Sequence, residues 1–240
     1  MVIHINHTLT GNWKTDRATV IAIAEAPTTA AKFYVHAQVV LALFNRLTHE
    51  TPSAPNYPER SGLARKVHDE LFPIAHFAKL RFAESNNVSI RWHHGSQQFD
   101  ATVEDRRPDP DRSSIHYLEV TTLQDKEDAE MLQRLAESKE GVVKIEGDLD
   151  QTTHTRKVAL LKKALEKKGA INYPTGTALL VYTDEDRFRQ FSFGVPQNSI
   201  DKKGSFRAVL EEMKHLLGGF SEVCVYSKNE IYCLLQPDTV

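Results

Sequence analysis

Residues 28–48, TTAAKFYVHAQVVLALFNRLT, place apolar side chains on most faces of a 3.6-residue repeat. The pattern predicts a buried helix, with Thr28 or Thr29 as its cap. Lys32, His36, Gln38 and Arg46 argue against a membrane span. The following HETPSAPNYPERSG, with its three prolines, reads as a linker. It sets a boundary near residue 57, between an N-terminal helical extension over 1–56 and a main domain over 57–240. Leu63, Val67, Leu71, Ile74 or Ala75, and Ala78 then fall on one helical stripe, which Pro73 is expected to kink or break.

Three strand patterns come next, VSIRWHH, QFDATVED and IHYLEVTT, each rich in β-branched or aromatic residues. Their closeness in sequence predicts an antiparallel meander. The charged stretch DKEDAEMLQRLAESK and then THTRKVALLKKALEKKG, which ends at Gly169, read as helices. The apolar run ALLVY suits a strand buried on both faces. A helix over SFRAVLEEMKHLLGG precedes a closing hairpin, SEVCVYS and IYCLLQP, turned by KNE. The expected fold is α/β, of the α+β kind, with helices on a mixed sheet.

A chain of 240 residues is long enough for one sizeable core. Its net charge of -2 carries no global mark of a nucleic-acid-coating or membrane-surface protein, so any polyanion site must be a local patch. The two cysteines, Cys224 and Cys233, lie in apolar strand patterns and read as small core residues. The first residues lack a basic segment followed by an apolar one, and no apolar run reaches membrane-spanning length, so a cytoplasmic protein with no membrane contact is expected. No zinc-ligand spacing, Walker-type loop, GxGxxG or GxSxG stretch occurs. His93 and His94 read as part of an exposed turn.

The loop RRPDPDRS, residues 106–113, fixes a register. Antiparallel partners across it should have numbers summing to about 219, which sets Asp100 opposite Glu119. Opposed residues share a face, with Cβ atoms roughly 4.5–5.5 Å apart. Thr102, Tyr117 and Thr121 join the two acids on that face, while Phe99, Ala101, Val103, Leu118 and Val120 form the core face. Two facing carboxylates need a cation, a shared proton or solvation. A hard divalent cation such as Mg²⁺ is the natural compensator, and the competing reading is a solvated acidic face.

Asp100, eighteen intervening residues and Glu119-Val120-Thr121 at the end of an apolar strand resemble the PD-(D/E)XK nuclease superfamily. The order helix, three-strand meander, helix, strand resembles its restriction-endonuclease-like core, over roughly residues 60–185. The resemblance implies hydrolysis of DNA or RNA phosphodiesters with Mg²⁺ or Mn²⁺. Asp100 and Glu119 would be metal ligands, with the Val120 carbonyl as a third oxygen and Glu70, ahead of Glu59, as an acid from the first core helix.

Two positions depart from the motif. Phe99 stands where the family has proline, and Thr121 where it has the lysine. Lys126 lies too far along the chain to substitute. The following helix offers Lys157, Lys162 and Lys163, with Lys162 and Lys163 ranked first. The implied partner is nucleic acid, and a two-fold homodimer suits the cutting of two strands. Because of Thr121, a non-catalytic nuclease-fold module that binds nucleic acid or protein stands as the alternative. A small-molecule-binding α/β protein, with an apolar pocket, is a third.

Overall fold

The computed structural model describes residues 9–50, 63–83, 85–108, 113–124, 149–183 and 200–237. The helix expected over DKEDAEMLQRLAESK, the predicted boundary near residue 57, Glu59 and Lys126 lie outside them. The fold is mixed α/β, and its seven described strands follow one another in chain order. The chain forms two compact units, Met1–Leu118 and Glu119–Val240, divided inside the fourth strand.

The first unit begins with α1 (Trp13–Ala24), which the sequence reading missed. Its start is nonetheless written locally. Gly11 takes φ +81°, a turn open mainly to glycine. The Asn12 side chain accepts from Thr15 N–H as the N-cap. Asp16 accepts from the Thr10 hydroxyl and from the Thr10 and Gly11 amides, which ties the preceding chain onto the first turn. The two-residue β1 (Thr28–Thr29) leads into α2 (Ala30–Glu50), so the expected caps are strand residues instead.

Around Pro73 the chain does not break. A short α3 (Leu63–Lys66) passes through a π-helical turn (Val67–Leu71) into α4 (Phe72–Arg81). Proline lacks an N–H and crowds the carbonyl four residues back. The wider turn, with Phe72 N–H reaching the Val67 carbonyl, accommodates both. Phe33, Leu43, Leu47, Leu71, Ile74, Phe77 and Phe82 pack fully buried in this unit.

Strands β2 (Val88–Trp92), β3 (Ala101–Asp105) and the first residues of β4 (Tyr117–Thr122) form the expected antiparallel meander. Ala101 pairs with Leu118 and Thr102 with Tyr117. Both pairs sum to 219, the value the loop arithmetic requires. At the end of β3, Asp105 is buried yet stays ionised. Burial works to raise its pKa, but bonds from the Arg107 guanidinium and from the Ser113 and Arg107 amides prevail and hold it well below the usual carboxylate range.

A depressed folded-state pKa contributes stability that is complete above the unfolded value, about 4, and is lost as pH falls towards the folded one. Asp105→Asn is therefore expected to remove part of the acid sensitivity. Urea melts of wild type and variant should differ most at neutral pH and converge below about pH 4. A constant gap across pH would disprove that account.

The second unit holds α5 (Leu149–Gly169), β5 (Thr177–Tyr182), α6 (Lys202–Glu212), a 3₁₀ turn (Lys214–Leu216), β6 (Glu222–Tyr226) and β7 (Ile231–Leu235). Asp201 caps α6 by accepting from Gly204 N–H, so the helix begins at Lys202, three residues before its predicted start. The crossover through α6 makes β5 and β6 parallel, and β7 returns antiparallel after the Ser227–Glu230 turn. Strand β6 is buried throughout and β5 along all but its last residue, as a continuous apolar run requires. The core joins Leu161 and Leu165 of α5 to Leu179, Val181, Phe206, Val223 and Val225.

Cys224 and Cys233 are buried free thiols. Cys224 pairs with Leu234 while Cys233 pairs with Val225, so the two side chains point to opposite faces of the hairpin. Burial pushes the Cys233 thiol up to about 12, against the opposing effects of Arg207 and the Val225 amide.

Just past β5, the Thr183 hydroxyl is buried without a hydrogen-bond partner. Thr183→Val should therefore raise stability by about 1 kcal/mol, read as a higher urea midpoint at unchanged m-value. A lower midpoint would mean that the hydroxyl is satisfied.

Candidate active site

In β4 the apolar Leu118 and Val120 alternate with Tyr117, Glu119 and Thr121, as a strand with one core face requires. Glu119 is not a solvated acid. It is only 9 % exposed, and both of its hydrogen bonds arrive at Oε1, from the Lys168 ammonium and from the Tyr173 hydroxyl at 3.4 Å. Tyr173 is held by its ring, which packs 5.0 Å from Phe220.

Among the described residues none donates a hydrogen bond to Glu119 Oε2, and that oxygen is not a fully sealed atom without a partner. It therefore keeps contact with solvent. The described hydrogen bonds thus converge on one oxygen of the carboxylate.

Lys168 occupies the last turn of α5, where the carbonyl end of the helix favours a cation. Its ammonium arrives from the packed face of the helix. Lys157, Leu161, Leu165 and Lys168 recur at intervals of three or four residues, and the first three are buried. That stripe was legible in KVALLKKALEKK, but the lysines ranked first lie off it.

Gly169 makes the position possible. A Cβ there would come within 2.6 Å of the Leu216 carbonyl oxygen, so only glycine lets the end of α5 approach the 3₁₀ turn.

The expected lysines go elsewhere. Lys162 bonds both oxygens of Glu212 at 2.9 and 2.6 Å on the surface, and Lys163 is exposed. Lys157 is 1 % exposed and donates to the Leu123 carbonyl just past β4. Thr121 is half-buried and Val120 is buried.

Asp100 and Glu70 belong to the first unit. Asp100 lies in the bend before β3, with its N–H donating to the Leu118 carbonyl and its own carbonyl accepting from His93 N–H, both at 2.8 Å. Ala101 already pairs with Leu118, so Asp100 meets the same partner residue as its neighbour. The ladder thus departs from simple alternation at Asp100, in the manner of a β-bulge, a device that re-aims a side chain.

Glu70 sits in the π-helical turn, and its Oε2 accepts from the buried Trp92 indole N–H at 3.1 Å. Lys66 lies 3.9 Å from Glu70 Oε1 and donates to the His94 carbonyl at 3.1 Å. The two histidines expected in an exposed turn are half-buried. His93 shares a 3.2 Å hydrogen bond with the Thr102 hydroxyl, and His94 N–H donates to Glu25. Burial, then Arg91 for His93 and Lys66 and Arg17 for His94, lower both pKa values against Glu25.

Among the described residues no three His, Cys, Asp or Glu side chains come together as a metal cage. A cation at the lone carboxylate of Glu119 would have to keep most of its shell as water, as Mg²⁺ does. A described cleft beside β3, about 130 Å³ and lined by Asp105, Arg106 and His116 among others, is smaller than the ~300 Å³ usual for a small-molecule pocket. No described helix is long and apolar enough to cross a membrane.

No family model matches the chain, and no curated protein or solved structure is significantly similar to it.

Proposed function

We propose that the chain is a divergent PD-(D/E)XK-type nuclease that hydrolyses DNA or RNA phosphodiesters with Mg²⁺ or Mn²⁺. The observation that carries this reading is the ion pair between Glu119 and Lys168. The motif requires a carboxylate and a lysine together at this strand. Thr121 cannot supply the cation, and a lysine from the following helix meets the same carboxylate. The order of helix, meander, helix and strand supports the restriction-endonuclease-like core, and two free buried thiols suit a reducing cytoplasm.

In this reading Glu119 offers Oε2 to the cation while Tyr173 fixes the carboxylate through Oε1. The cation, when bound, supplies Lewis acidity and an acidified water. Lys168 stabilises negative charge gathering on the phosphoryl oxygens. The resemblance assigns Asp100 as a further carboxylate ligand, which Asp100→Asn tests by itself.

One observation favours the alternative of an inactive nuclease-fold module. Lys168 already compensates Glu119 without a metal. Incubation with single- and double-stranded DNA and RNA, with Mg²⁺, Mn²⁺ or EDTA, separates the two. Cleavage that EDTA abolishes is the expected result. Binding without cleavage under every condition would replace the nuclease by the module.

A further inference from the structure

Resting on the nucleic-acid reading and on no metal, we propose that the outer face of β2, β3 and β4 in the first unit is a stacking platform for single-stranded DNA or RNA. The register builds that face. Arg91 pairs with Thr102, and Thr102 with Tyr117, so the three side chains form one row across the strands. The opposite side belongs to the core, where Ile90, Trp92, Ala101 and Leu118 are fully buried.

Simple alternation sets Phe99 on the core side, and the ladder's departure at Asp100 undoes that. Because Asp100 and Ala101 both meet Leu118, the chain before them is shifted by one phase, and Phe99 comes out beside Tyr117. Its ring lies 4.6 Å from the Tyr117 ring and 5.6 Å from the His93 ring, and all three are half-buried. The 3.2 Å bond to the Thr102 hydroxyl holds His93 over the same face.

Beside these rings stands Arg91, exposed and, among the described residues, engaged by no hydrogen bond or ion pair. Glu104, the exposed acid on this face, is taken by Arg106, whose Nε donates to it at 2.8 Å. Rings next to an unengaged guanidinium fit a ligand that presents a flat π-face and an anion together. Single-stranded nucleic acid does so at every nucleotide, since its unstacked bases lie on aromatic rings and guanidinium planes while its phosphates meet the charge. A duplex keeps its bases stacked inside and offers the rings little. The platform therefore selects single strands, with little regard to sequence because every base has a π-face.

The test is fluorescence anisotropy of the full chain in EDTA, with labelled oligonucleotides of about twelve residues as single-stranded DNA, single-stranded RNA and duplex DNA. Wild type should bind both single strands about tenfold or more tightly than the duplex. Phe99→Leu and Tyr117→Leu, which keep apolar bulk and lose the π-face, should each weaken single-strand binding about 5- to 150-fold. Tyr117→Phe, which keeps the ring, should bind like wild type, and urea melts check that each variant is folded. Arg91→Gln should reduce the slope of log affinity against log salt by about 0.7 for each phosphate contact it loses.

Equal affinity for single strand and duplex would overturn the platform and leave the nucleic-acid reading standing. Wild-type affinity in both leucine variants would do the same. Should leucine unfold either variant, an unchanged salt slope in Arg91→Gln would overturn the platform by itself. Absence of binding to every oligonucleotide would overturn the platform together with the nucleic-acid reading beneath it.

Discussion

Glu119→Gln is expected to lower metal-dependent cleavage by roughly 10²-fold or more while leaving the fold intact. Glutamine has the size of glutamate and keeps an oxygen for the Tyr173 hydroxyl and the Lys168 ammonium, so the buried bonds persist. It lacks the anionic oxygen that a hard cation needs. Lys168→Met should cost a comparable factor in cleavage, since it removes the charge that the proposed mechanism sets against the phosphoryl oxygens. Lys162→Met and Lys163→Met should cleave at near wild-type rates, because one lysine is tied to Glu212 on the surface and the other is exposed. Single-turnover cleavage with saturating Mn²⁺, with melts to check folding, reads all four. Full activity in Glu119→Gln would remove this carboxylate from the chemistry. Loss in Lys163→Met but not in Lys168→Met would return the role to one of the two lysines that the sequence ranked first.

What the sequence carried well was periodic. Alternation located β2, β3 and β4, a continuous apolar run located β5, and the loop midpoint fixed a register that two observed pairs obey. These signals are strong because a strand with one buried face admits only one phase. Single-residue departures stayed hidden. The offset at Asp100 changes no residue type, only the partner of one amide, so face alternation could not reveal it. The π-helical turn before Pro73 was equally silent, since proline signals a missing donor and not how the chain accommodates it.

Lys168 was overlooked for another reason. Five lysines fall from Lys157 to Lys168 in a run that looks solvated, and charge alone does not separate the two on the packed stripe from the rest. The leucines at 161 and 165 separate them. A lysine three or four residues beyond the last buried leucine is carried on the same face.

Glu70 poses the opposite problem, a carboxylate chosen as a ligand that also serves the fold. Trp92 is among the largest fully buried side chains, and Trp92→Ala should destabilise the protein by about 3–5 kcal/mol. Part of that belongs to the indole N–H. Buried without an acceptor it costs about 1–3 kcal/mol, so Glu70→Leu should lose that amount, and Glu70→Gln, which retains an oxygen, much less. In a Trp92→Phe background the same Glu70→Leu change should cost little, because the donor is gone, and the double-mutant cycle measures the coupling directly. Urea melts supply the free energies and the cleavage assay supplies the discrimination. If Glu70→Gln keeps both stability and activity, the π-helical turn serves to aim a carboxylate at a buried indole. If it keeps stability and loses cleavage, Glu70 joins the ligands, and its bond to Trp92 is what orients it.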